Sequence, residues 1–164
     1  MMKGYVWVLL LAMASMECVA GFDEGVNSYE AQDYQSALRE FLPLANDGNA
    51  SAQFYLGFMY YSGEGVPQNY SQAAVGYRKA ADQGDAFAQY NLGLMYYKGE
   101  GVAQDYSQAA DWYRKAANQG DAKAQYNLGV LYEKGNGVEQ DYSQAVDLYR
   151  KSADQDYAKA QYNL

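Results

Sequence analysis

The feature that most constrains this chain is a repeat of 36 residues. Ala52-Gln53, Ala88-Gln89, Ala124-Gln125 and Ala160-Gln161 follow one another at that spacing. Gly57, Gly93 and Gly129 keep the same step, as do Tyr70, Tyr106 and Tyr142, and Tyr77, Tyr113 and Tyr149. A fixed period of this length marks an array of supersecondary units, none of which can bury its own apolar face alone. It divides the chain into full units over 49–84, 85–120 and 121–156. Residues 21–48 form a shorter, divergent first hairpin, and 157–164 begin a further unit that is cut short. The presence of 19 Tyr and 16 Gly beside two Pro in 164 residues is the skew that copying one short unit produces.

Within a unit the pattern predicts two helices. In the middle one, Asp85 is placed to cap a helix from about Ala86 to Lys98, and Gly99 supplies the left-handed geometry that stops it. Ala88, Leu92, Met95 and Tyr96 recur at helical spacing and make one buried stripe. Gly93 lies beside that stripe, where the missing side chain lets a second helix come close. Gly99-Glu100-Gly101-Val102 reads as a turn, with Val102 folded back onto the core. Asp105 with Gln108 forms a capping-box-like start to the second helix. That helix buries Ala109, Tyr113, Ala116 and Ala117 and ends at Gly120. The expected fold is all-α, an α/α solenoid of stacked helix-turn-helix repeats. Residues 157–164 begin a helix too short to stand alone, so the inner face of the preceding helix, with Ala145, Tyr149 and Ser152, is expected to lack full cover.

The N-terminus is a separate object. Lys3, the apolar run Tyr5–Ala14 and Cys18-Val19-Ala20 have the order of a secretory signal peptide over 1–20, cleaved after Ala20. The implied destination is the periplasm or the exterior, with no stable membrane insertion after cleavage. A lipid anchor on Cys18 is the competing idea, but Glu17 stands where such signals carry a small residue. Cleavage would remove the only cysteine and with it any disulfide or thiolate metal ligand. Twelve Lys and Arg against 20 Asp and Glu give a net charge of −8, which argues against nucleic acid and anionic membrane surfaces as partners.

The run Ala-Gln-Tyr-Asn-Leu-Gly over 88–93, followed by Tyr96, Gly99-x-Gly101-Val102, Asp105-Tyr106, Ala109 and Trp112-Tyr113-Arg114-Lys115-Ala116-Ala117, resembles the Sel1-like repeat, a relative of the tetratricopeptide repeat. The Gly-x-Gly-Val turn separates it from ordinary tetratricopeptide units. That turn is missing from the first hairpin, whose Asp33-Tyr34-x-x-Ala37-Leu38 looks more like a plain tetratricopeptide. The resemblance implies an adaptor or scaffold, in bacteria often one of the envelope or the exterior.

Chemistry is scarce. The chain has no histidine, which removes the commonest general base, the usual metal ligand and the near-neutral pH switch. No serine is followed three residues later by lysine. Asp85 and Asp121, or Asp105 and Asp141, are equivalent caps one repeat apart and do not form converging carboxylate pairs. Asn49-Ala-Ser51 and Asn69-Tyr-Ser71 match a glycosylation pattern, but both asparagines hold the cap positions. These observations point to a protein that is not an enzyme and needs no metal or cofactor.

What remains is a helical face outside the buried stripes. Tetratricopeptide-like solenoids line their concave surface with the first helix of each unit. Ser51, Phe87 and Lys123 are equivalent there, as are Tyr55, Asn91 and Asn127, and Tyr61, Tyr97 and Glu133. Variation on a fixed frame is what a ligand groove looks like. The residues expected to bind a protein or peptide partner are Tyr55, Phe87, Tyr90, Asn91, Tyr97, Lys98, Tyr126, Asn127 and Lys134. Asn91, Asn127 and Asn163 match an asparagine that tetratricopeptide relatives use to hold a peptide backbone or terminal carboxylate, while Tyr55 breaks the match. Two alternatives differ in class. Exposed rings such as Tyr61 and Tyr97 could stack on peptidoglycan or other glycans. Cysteine-rich relatives are linked to β-lactam hydrolysis, but their paired cysteines are missing here.

Overall fold

A computed structural model describes residues 21–163; the expected signal peptide and its cleavage site fall outside them. The chain forms helix after helix, with no strand among the described residues. Residues 21–30 are helical (α1), followed by α2 (Tyr34–Asn46), α3 (Ala50–Ser62) and α4 (Tyr70–Asp82). Then come α5 (Ala86–Lys98), α6 (Tyr106–Asn118), α7 (Ala122–Lys134), α8 (Tyr142–Ala153) and the short α9 (Ala158–Tyr162). Each helix packs on the next, so α3–α4, α5–α6 and α7–α8 are hairpins stacked in chain order.

The sequence explains where these helices start and stop. Asn49, Asp85 and Asp121 accept hydrogen bonds from the backbone N–H three residues on, at 2.9, 2.7 and 2.7 Å. Asn69, Asp105 and Asp141 do the same for the second helices, each at 3.0 Å. The capping box expected at Asp105 and Gln108 is not closed. The Asp105 N–H donates instead to the Tyr96 carbonyl at 3.0 Å, and that of Asp141 to Tyr132. With the donor already satisfied by the previous helix, Gln108 has nothing to return.

The Gly-x-Gly turn has two different jobs. Gly99 ends α5 in the left-handed region (φ +76°) and returns its N–H to Met95. Gly101 (φ +72°) lies against the preceding unit, where a Cβ would come within 2.3 Å of the Tyr70 carbonyl. Ser71 Oγ donates to the Gly101 carbonyl, and Ser107 repeats this one unit later on Gly137 at 3.0 Å. Val102, half-buried, packs on the core beside them. The turn is therefore a joint between neighbouring units as well as a helix stop.

The core runs along the stack. Ala88, Leu92 and Met95 of α5 and Ala109, Tyr113 and Ala116 of α6 are fully or almost fully buried. Gly93 faces the Tyr113 ring so closely that a Cβ would sit 2.8 Å from it. Tyr96 is only half-buried, with its hydroxyl on Arg78. The Ala-Gln pairs that mark the repeat also have a role. Gln89, buried, donates to the Ala81 carbonyl at 3.1 Å and accepts from Gln119 at 2.8 Å. Gln53 and Gln125 repeat both bonds, to Ala45 and Gln83 and to Ala117 and Gln155. Each glutamine thus ties the helix before it to the helix after it, and stays satisfied while buried.

Ala145, Tyr149 and Ser152 of α8 are all buried, and Ser152 Oγ donates to the Ala122 carbonyl at 2.7 Å. Helix α7 packs on these residues, while Ala145 and Tyr149 also line an open cavity with Asn163.

Candidate functional site

A cavity of about 210 Å³ opens between α5, α6 and α7. Leu94 and Tyr97 come from α5, Tyr126, Asn127 and Val130 from α7, and Tyr113 closes it from α6. The helical period places Leu94 and Tyr97 one turn apart on the same side of α5, and Tyr126, Asn127 and Val130 likewise on α7. Tyr97 is braced edge-on by Tyr106, with ring centroids 5.4 Å apart. Tyr126 is held between Tyr149 and Tyr157, at 5.5 and 5.4 Å. The pocket walls are therefore set by packing before any ligand arrives.

Of the polar side chains that line this cavity, Tyr113 and Asn127 are neighbours. Tyr113 is fully buried, and its hydroxyl has no hydrogen-bond partner. Burial and the neighbouring Tyr90 raise its pKa well above the usual phenol range, and the Asn127 amide pulls weakly the other way. Asn127 thus lies beside the hydroxyl without reaching hydrogen-bond geometry. A buried hydroxyl left unpaired costs about 1–3 kcal/mol. The equivalent hydroxyl of Tyr77 is also unpartnered. In the third full unit the same position is satisfied: Tyr149 Oη donates to Glu133 Oε2 at 2.5 Å. That pair lines a matching cavity of about 300 Å³ with Asn163. Glu133 replaces Tyr61 and Tyr97 of the earlier units, and this one substitution supplies the missing acceptor.

The other residues expected to bind a partner fall in varied surroundings. Phe87 is 65% exposed, and Tyr90 lies half-buried with its ring 6.0 Å from that of Tyr113. Asn91 donates to the Phe87 carbonyl of its own helix at 2.8 Å, so part of its capacity is already used. Lys98 pairs with Glu100 at 3.5 Å and meets the Tyr61 hydroxyl, while Lys134 is exposed at the end of α7. Tyr55 is spent on packing. Its ring stacks on Phe41 at 4.7 Å and meets Phe22 and Tyr29 edge-on, so α1 and α2 cover it. The structure therefore brings Tyr97, Tyr126 and Asn127 into one cavity and packs the Tyr55 ring against the first hairpin. Sequence reasoning assigned Tyr113 to the core alone and so missed its hydroxyl. The signal was the change from Tyr61 and Tyr97 to Glu133 across equivalent positions.

A larger depression of about 500 Å³ lies elsewhere, at the turn before α8. It is lined by Arg114, Glu139 and Asp141 among others, and Arg114 is already bonded to Asp111 and Tyr132. Among the described residues no three of Asp, Glu, Cys or His gather as a metal site would require. None of their helices is long and apolar enough to cross a membrane.

These features define an α/α solenoid of helical hairpins with small cavities between its first helices. The Sel1 repeat model matches residues 50–85, 86–121 and 122–157, and the chain belongs to the Sel1 repeat family. Among solved structures it is similar to a protective antigen of uropathogenic Escherichia coli that displays an SLR fold. The identity is 37% and the TM-score 0.86, over 93% of this chain and 33% of that one. It is also similar to a Sel1 repeat protein from Oxalobacter formigenes, at 39% identity and TM-score 0.79, over 83% of this chain and 56% of that one. The chain thus spans about a third and about half of those proteins. The cysteine-rich protein B of Helicobacter pylori shares the fold at 22% identity and TM-score 0.64, over 80% of this chain and 95% of that one. Comparison with curated proteins finds no match. Sel1 repeat solenoids typically mediate protein–protein interaction.

Proposed function

We propose that the chain is an exported adaptor that binds an extended polypeptide segment across the face formed by α5 and α7. The observation that carries this reading is the cavity where Leu94, Tyr97, Tyr126 and Val130 offer apolar walls and Asn127 offers a polar group. Rigid aromatic walls around a few polar groups are the composition of a recognition pocket, and rings lose little conformational freedom on binding. Phe87 extends the apolar area to one side, and the exposed Lys134 ends α7. The leader-like residues 1–20 support delivery to the periplasm or the exterior. Glycan stacking has less support, because Tyr97 is braced edge-on by a neighbouring ring.

The test is to select binders from a peptide library and measure their affinity for the parent, Asn91→Ala/Asn127→Ala and Lys115→Ala. Each lost hydrogen bond is worth about 0.5–1.5 kcal/mol, so the double variant should bind roughly tenfold more weakly with its melting temperature kept. Lys115 covers the Trp112 ring on α6, and its variant should bind like the parent. Affinity kept by the double variant and lost in Lys115→Ala would place the binding face elsewhere.

A further inference from the structure

Glu133 shows what the second full unit lacks. Its carboxylate reaches back from α7 to the buried Tyr149 hydroxyl, with Asn163 beside the same pair. One repeat earlier, Tyr113 stands for Tyr149 and Asn127 for Asn163, but Tyr97 stands for Glu133, and the Tyr113 hydroxyl has no partner. The donors keep their positions while the acceptor is missing, and an open cavity of about 210 Å³ lies beside them.

Resting on the polypeptide-binding reading of this face, we propose that the cavity takes a neutral carbonyl oxygen of the bound segment. Tyr113 Oη donates to that oxygen from below and Asn127 Nδ2 from the side. An apolar side chain of the same segment then seats against Leu94, Tyr126 and Val130. The neutral carbonyl is favoured over a carboxylate for two reasons. None of the six lining residues is a cation, and a charge buried among neutral groups stays uncompensated. The chain also carries a net charge of −8, which repels an anionic ligand at long range. Lys98, the cation near the end of α5, is already engaged by Glu100 and Tyr61. Glu133 escapes this argument because it belongs to the fold and keeps part of its surface in solvent.

The experiment titrates isotope-labelled protein with N-acetyl-leucinamide and, separately, with N-acetyl-leucine, following the Asn127 side-chain amide by NMR. The amide should shift that signal and bind several-fold more tightly than the carboxylate. Tyr113→Phe should weaken N-acetyl-leucinamide about fivefold, the worth of one hydrogen bond, while leaving Tm unchanged or higher. Tyr149→Phe, which removes a bond already made to Glu133, should lower Tm. Tyr97→Glu should install the missing acceptor, raising Tm and abolishing N-acetyl-leucinamide binding. Three results overturn the proposal: a Tm loss in Tyr113→Phe equal to that in Tyr149→Phe, unchanged amide affinity in Tyr113→Phe, or preference for the carboxylate. Library peptides that bind this face yet keep their affinity in Tyr113→Phe sink this pocket alone. Failure of every peptide sinks the reading beneath it.

Discussion

Replacing three glycines by alanine, one at a time, separates backbone strain from steric collision in this solenoid. Gly120 has φ +94° with nothing within 4 Å of the place a methyl would take, so Gly120→Ala carries only the left-handed penalty, roughly 1–2 kcal/mol. Gly99 (φ +76°) adds a contact at 3.2 Å with the Gln104 Cβ, so Gln104 must give by a few tenths of an ångström. Gly99→Ala should therefore cost little more than Gly120→Ala. Gly101 is different. A methyl there would lie 2.3 Å from the Tyr70 carbonyl, which is backbone inside α4 and does not yield. The turn would have to retreat by roughly 1 Å, stretching the Ser71 bond to Gly101 and lifting Val102 from the core. Overpacking of that kind adds about 1–3 kcal/mol to the strain, for a total of about 2–5 kcal/mol. Urea unfolding followed by circular dichroism gives the three values, read from midpoints at constant slope. A Gly101→Ala variant no less stable than Gly120→Ala would refute the role of this turn as the joint between units.

Leu92→Ala should cost about 2–5 kcal/mol, because the side chain is wholly buried between α5 and its neighbours; a calorimetric loss below about 1 kcal/mol would mean the core does not close there. Acid should also destabilise the fold. The Tyr29 hydroxyl bonded to Glu64 is the main cause that holds this carboxyl below its ordinary value of 4.5. Its stabilisation is present above that pH and lost as pH falls through the lower folded value. Melting temperature followed from pH 6 to pH 3 should fall less steeply in Glu64→Gln than in the parent; parallel curves would assign the acid loss to other groups.

Much of this fold was legible because repetition shows each structural position several times. A cap read at Asp85 is read again at Asp121, and a glycine needed at 99 and 101 recurs at 135 and 137. Helix ends, buried stripes and the close approach at Gly93 follow from local chemistry and the 36-residue period. What the sequence hid depends on contacts between units. The spare donor of Asp105 goes to Tyr96 in another helix, so a capping-box pattern of the right spacing stays open. Tyr55 faces the divergent first hairpin, where the repeat gives no guide to its neighbours, and Phe41 and Tyr29 claim it. Tyr113 was legible as core, but the fate of its hydroxyl depends on which side chain occupies position 97 or 133 across the hairpin. The substitution was visible in the alignment of units, yet its meaning needed the geometry.

The central claim is that the face of α5 and α7 receives the partner. The most direct measurement is chemical-shift mapping of the full chain with a library-selected peptide. The account predicts perturbations gathered at Tyr97, Tyr126, Asn127 and Val130, with the signals of Arg78, Trp112 and Lys115 unmoved. Perturbations centred on Trp112, with Arg78 and Lys115 over its ring, and with the Asn127 amide silent, would contradict it.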